Sequence, residues 1–148
     1  MALTQKISED LKLAMKSGDK TRIDTLRMVR AQILEFEKKG GSKEMTPDDE
    51  LQLLSTAVKK RKESIEQYEK GGRADLAAQE AAEVAIITEY LPKQMERAEA
   101  EKIIYGIIEQ AGAATSKDMG KVMPLIMKEL KGKIDGKTIN EIVKTKLV

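Results

Sequence analysis

The 148-residue sequence contains no cysteine, no histidine and no tryptophan, and only one phenylalanine and three tyrosines. Without cysteine there is no disulfide, no thiolate nucleophile and no zinc–thiolate site. Without histidine the commonest general base and metal ligand is missing. The four aromatics (Phe36, Tyr68, Tyr90 and Tyr105) are too few for a β-rich fold, and too few to grip single-stranded nucleic acid by stacking. No apolar run is long enough to span a membrane. The first residues, Met1-Ala2-Leu3-Thr4-Gln5-Lys6, lack the apolar core and small-residue cleavage site of a secretory signal. These absences lead to the expectation of a cytoplasmic protein that needs no metal or cofactor.

What is present is helical periodicity from end to end. Leu3, Ile7, Leu11 and Ala14 mark the inner face of a first helix that Gly18 stops. Asp19 can cap a second helix with Ile23, Leu26, Val29, Ile33 and Phe36 as its inner face, ending at Gly40-Gly41. Thr46-Pro47-Asp48-Asp49-Glu50 is a strong start signal, combining a cap, proline at the first helical position and acids at the positive helix end. The third helix then carries Leu51, Leu54, Val58, Ile65 and Tyr68. An alanine-rich fourth, from Ala74 to Tyr90, presents Leu76, Ala77, Ala81, Val84 and Ile87 before Pro92 ends it.

Leu91 to Glu96 is a candidate hinge. Beyond it three shorter helices are expected. One runs from about Glu96 to Ala111. Another is capped by Ser116 and bent at Pro124. The last starts near Asp135 on Ile139, Ile142, Val143 and Leu147. With no strand-period segment and no internal repeat, the fold class is all-α. A four-helix part (1–92) precedes a three-helix part (96–148).

Several local patterns invite functional readings. Lys59-Lys60-Arg61-Lys62 resembles a nucleic-acid patch, but four consecutive residues spread around a helix, and Glu63 and Glu66 lie within reach. Lys59, Lys60 and Arg61 are therefore secondary candidates. So are Arg27 and Arg30, whose planar forks suit phosphate, although Asp24 and Glu35 could pair with them. Gly136-Lys137-Thr138 mimics the end of a nucleotide loop, but Gly132 is one residue too close and a helix precedes it. Gly40-Gly41-Ser42-Lys43 reads as a flexible connection. Asp48/Asp49 and Glu80/Glu83 fall on polar helix positions, with no sign of the burial that would raise a carboxyl pKa. Met95, Met119, Met123 and Met127 read first as core filler.

The end of the chain is different. Ser116–Val148 carries eight lysines against four acids, a net of +4 in a chain totalling +2, so the remainder carries −2. Lys121, Lys128, Lys131, Lys133 and Lys137 gather around a tight helix–turn–helix. Gly132 can take the left-handed conformation there, and Asp135 can cap the following helix. Such a turn can meet a phosphate backbone. Lysines near a helix C-terminus also complement its dipole with no partner at all.

The run Met119-Gly120-Lys121-Val122-Met123 through Lys131-Gly132-Lys133-Ile134-Asp135 to Asn140 resembles the C-terminal signature of YqeY-like proteins. It is also similar to the tail domain of the glutamine-dependent aspartyl/glutamyl-tRNA amidotransferase, the GatB/YqeY motif. The likeness to YqeY-like proteins extends upstream to Leu26-Arg27-Met28-Val29-Arg30, Lys59-Lys60-Arg61-Lys62-Glu63-Ser64 and Glu89-Tyr90-Leu91-Pro92. It implies an all-helical protein in a four-plus-three arrangement, with a tail that in the amidotransferase helps hold tRNA.

On that resemblance Lys121, Lys131, Lys133 and Lys137 are the expected RNA-binding residues. Gly120, Gly132, Asp135 and Asn140 shape the motif. The expected partner is tRNA or another structured RNA. An adaptor role toward an aminoacyl-tRNA synthetase or the amidotransferase is a second expectation, motivated by the alanine- and methionine-rich helices. An amidotransferase-like carbon–nitrogen ligase activity is implied by kinship only. The chain lacks both the enzyme's kinase-like domain and an amidase Ser–Ser–Lys site, and no catalytic residue is assigned.

Overall fold

A computed structural model describes residues 2–41 and 43–148, which leaves Ser42 of the expected flexible connection outside the described residues. The described chain is all-helical: α1 (Leu3–Ser17), α2 (Lys20–Lys39), α3 (Pro47–Lys70), α4 (Ala74–Thr88), α5 (Arg97–Gln110), a 3-10 turn (Ser116–Asp118), α6 (Met119–Leu130) and α7 (Gly136–Lys146). It divides into two compact units between Leu91 and Pro92.

Local chemistry sets the ends of the elements. Gly18 stops α1 at φ +76°, a left-handed conformation that costs a side-chain-bearing residue about 1–2 kcal/mol. The Asp19 carboxylate accepts from the Arg22 N–H at the start of α2. Thr46 and Asp49 exchange side chain-to-backbone hydrogen bonds around Pro47, a full capping box.

In the first unit α1 packs on α2 and α3 on α4. Leu3, Ile7, Leu11, Leu26, Val29, Ile33, Leu54, Val58, Ile86 and Ile87 form its core. Each fully buried side chain of this size stabilises by about 1.5–3 kcal/mol relative to exposure. Two inner-face expectations and one helix end differ from the structure. Phe36 is 42% exposed, because it lies a turn beyond the last buried position of α2, Ile33. Ala81 is exposed and Ile86 is buried in its stead. Helix α4 ends at Thr88 rather than Tyr90, and the chain continues through Glu89, Tyr90 and Leu91 with i to i+3 hydrogen bonds that tighten the last turn ahead of Pro92.

That turn uses the Glu89-Tyr90-Leu91 motif to fasten the unit. Glu89 pairs with Arg22 of α2 at 2.9 Å. The Tyr90 hydroxyl donates to Asp10 of α1, and Lys6 stands 5.3 Å over the Tyr90 ring. Leu91 packs against the core.

The second unit is built from α5, α6 and α7 around Ala100, Ile104, Ile108, Val122, Ile126, Leu130, Ile139, Ile142, Val143 and Leu147. Helix α6 runs unbroken through Pro124. Met95, Met119, Met123 and Met127 are partly buried and pack against this core, as expected of core filler.

Candidate nucleic-acid interface

The site is built from the turn that joins α6 to α7. Leu130 is buried at the end of α6, and the Lys133 N–H donates back to its carbonyl. Closing so short a turn needs a left-handed residue, and Gly132 supplies it at φ +80°. Gly132 is itself buried. Its carbonyl accepts from the Gln94 side-chain amide at 2.8 Å, and the Lys133 carbonyl accepts from the Met95 N–H at 2.8 Å. The turn therefore sends its backbone inward, against the segment that follows Pro92. Asp135 then caps α7 by accepting from the Thr138 N–H at 2.8 Å.

The lysines fall at three places: on the Gly132 turn, at the start of α7, and at the opposite end of α6. Lys131 and Lys133 flank Gly132 and are half-buried, while Lys121 and Lys137 are exposed. Lys131 is the C-cap of α6, where a cation complements the helix dipole. Lys121 and Lys137 are the reverse case. They sit in the first turns of α6 and α7, neither of which contains an acid, and there the dipole disfavours a cation. The helix dipole thus does not explain their placement. Next to α6, Asp118 accepts from the Ala114 and Thr115 N–H groups, and these bonds hold its carboxyl below the usual range, with Lys121 a lesser contributor. Ser116, the expected cap, instead opens the 3-10 turn that Asp118 closes.

Gly120 is exposed, with nothing within 4 Å of an added Cβ, so its own unit sets no steric demand for glycine there. Asn140 is also exposed, on the second turn of α7.

The secondary basic residues belong to the first unit and separate by role. Arg61 is buried and is no part of a surface patch. It donates to the Ala57 carbonyl at 2.9 Å, contacts the Met28 sulfur, and lies 3.3 Å from Glu83 and 4.0 Å from Glu80 of α4. Its partners are thus on the neighbouring helix rather than at Glu63 or Glu66. Lys59 and Lys60 are exposed on the same helix.

Burial, followed by the proximity of Glu83, raises the Glu80 carboxyl above its ordinary value, correcting the view of this pair as ordinary surface acids. Arg27 and Arg30 are exposed and form no ion pair among the described residues. Of the acids expected to hold them, Glu35 pairs with Lys39 at 3.1 Å, and Asp24 lines a separate groove between α2 and α4.

Gln94 and Met95 were not legible as site residues. No periodicity or motif marks a glutamine two residues past a proline as the support of a turn thirty-eight residues away. No group of three or more acids that could hold a metal ion occurs among the described residues.

Two helical units, the second closed by a lysine-bearing helix–turn–helix, define a small all-α protein. The chain belongs to the YqeY-like protein family, whose family model matches residues 4–147. Among curated proteins it is similar to an uncharacterized protein of Schizosaccharomyces pombe, 35% identical over 80 residues that make up 54% of this chain and 64% of that one. It is 29% identical over 150 residues to altered inheritance of mitochondria protein 41, mitochondrial, of Pyrenophora tritici-repentis, covering 95% of this chain and 81% of the relative. A protein of the same name from Lachancea thermotolerans is 34% identical over 95 residues, 64% of this chain and 51% of the relative. The matches thus span less than two thirds of two of these three relatives.

Proposed function

We propose that the protein is a small RNA-binding accessory module, with tRNA as its favoured partner, and that the α6–α7 turn is the contact surface. The observation that supports this reading is the placement of Lys121 and Lys137. Each stands in the first turn of a helix, where backbone N–H groups outside the helical ladder already favour an anion and where a lysine works against the dipole of its own helix. Lys131 and Lys133 stand on the buried frame of Gly132 with Lys137 just beyond it, and Lys121 adds a fourth cation at the far end of α6. Such a group suits phosphate contacts that fix position rather than read sequence.

Kinship to the amidotransferase tail is consistent with a holding role, and an amidotransferase activity is not part of this reading. The cytoplasm is the compartment expected from the sequence. The names of two of the three fungal relatives assign those proteins to mitochondria, and either compartment contains tRNA.

The test is tRNA binding at low salt by the intact chain and by Lys131→Glu/Lys133→Glu, with circular dichroism to verify folding. Loss of affinity in the folded variant supports the reading, and unchanged affinity overturns it.

A further inference from the structure

We propose that the groove between α1 and α2 of the first unit is a docking site for an acidic amphipathic helix of a partner protein. This is independent of the RNA reading and uses residues remote in sequence from the lysine turn. The groove is open to solvent, offers about 430 Å³ and is lined by Leu11, Met15, Arg27, Arg30, Ala31 and Leu34. Leu11 and Met15 are four apart on α1, while Arg27, Ala31 and Leu34 follow a three-to-four spacing on α2. The walls are therefore two helix faces and the floor between them is apolar. Met15 and Leu34 are each 51% exposed. A third helix laid along such a groove buries its own i, i+3, i+4, i+7 anchors.

Charge decides what kind of helix fits. Arg27 and Arg30 stand in the groove wall with no carboxylate partner among the described residues, the lining residues include no acid, and the two nearest acids in sequence are otherwise placed or paired. In the Leu26-Arg27-Met28-Val29-Arg30 motif, Leu26 and Val29 are core residues and Met28 contacts Arg61, which leaves the two arginines with no internal task. A partner helix with Asp or Glu beside its apolar stripe would give each guanidinium a carboxylate at the edge of a desolvated contact. Phosphate is a poorer occupant, since the floor offers it no polar group.

The probe is a displayed library of helices about 16 residues (roughly four turns) long, with apolar residues fixed on one face and all other positions randomised, selected on the intact protein. The expected winners are enriched in Asp and Glu next to the apolar face. They should fail to bind Met15→Glu/Leu34→Glu and weaken at least about tenfold on Arg27→Glu/Arg30→Glu. If the glutamate variant does not fold, Arg27→Gln/Arg30→Gln replaces it. Three results would overturn the proposal outright: no winner, winners with no acidic bias, or binding indifferent to Arg27 and Arg30. Self-association abolished by Met15→Glu/Leu34→Glu would assign the groove to a second copy. Vesicle binding, or tRNA affinity lost on changing Arg27 and Arg30, would assign it to lipid or RNA. Each of these also overturns it.

Discussion

The guanidinium of Arg61 on α3 reaches Glu83 of α4 at 3.3 Å from a side chain that is only 10% exposed. It is the one buried charge in the Lys59-Lys60-Arg61-Lys62 run, and it holds three elements at once through Glu83, the Ala57 carbonyl and the Met28 sulfur of α2. Removing one member of a buried pair strands the other, which costs about 3–5 kcal/mol at full burial. Glu83 is partly exposed, so Arg61→Met should destabilise by about 2–3 kcal/mol, read as a lower urea midpoint. Arg61→Lys should recover only part of this, because one ammonium cannot reproduce the guanidinium's fixed fork.

Glu80 gives the first unit a pH dependence. Its carboxyl is raised above 4.5, chiefly by burial and then by Glu83, so the folded state binds the proton more tightly than the unfolded chain. This group's contribution therefore favours folding at low pH and falls as pH rises above the ordinary glutamate value. Glu80→Gln removes the titration. The variant's urea midpoint should exceed that of the parent by a margin that widens from pH 4.5 upward; a margin that stays constant would contradict this.

The Tyr90–Asp10 bond predicts both a stability loss and a spectroscopic signature. Tyr90→Phe should cost about 1.5–3 kcal/mol, the usual range for a hydrogen bond to a charged group. Burial, and then the carboxylate it donates to, holds the Tyr90 phenol well above its ordinary 10.0. A phenolate absorbance titration should contain one late component that the Phe variant lacks.

Glycines separate by conformation. Gly132→Ala, at φ +80°, should destabilise the second unit by about 1–2 kcal/mol. Gly106 lies inside α5 with open space around an added Cβ, so Gly106→Ala should stabilise by about 0.5–1 kcal/mol. Thermal melts of the two variants should move in opposite directions.

Under the RNA reading, binding should weaken linearly in log–log form as salt rises. Each lysine of Lys121, Lys131, Lys133 and Lys137 exchanged for glutamine should reduce that slope by about one. A slope unchanged in the quadruple variant would remove these residues from the contact.

Much of the fold was legible because helix faces repeat. Leu3, Ile7, Leu11 and Ala14 are buried as their spacing requires, and Asp19, Thr46 and Asp135 cap the helices they precede. The exceptions are long-range. Nothing local distinguishes Arg61 from its neighbours, since only the arrival of α4 with Glu83 decides which of four cations is buried. Glu80 and Glu83 looked solvated for the same reason. At the candidate site, Gly132 and Asp135 could be read from turn chemistry, whereas the inward aim of the turn's backbone depends on Gln94 and Met95.

Those two bonds carry a practical consequence for dividing the protein. A fragment beginning at Pro92 keeps both donors, Gln94 and Met95, whereas one beginning at α5 deletes them and leaves two buried-turn carbonyls seeking water. The short strap ahead of α5 is thus the start of the second unit, and a tail cut at the helix boundary would be missing its own fastening.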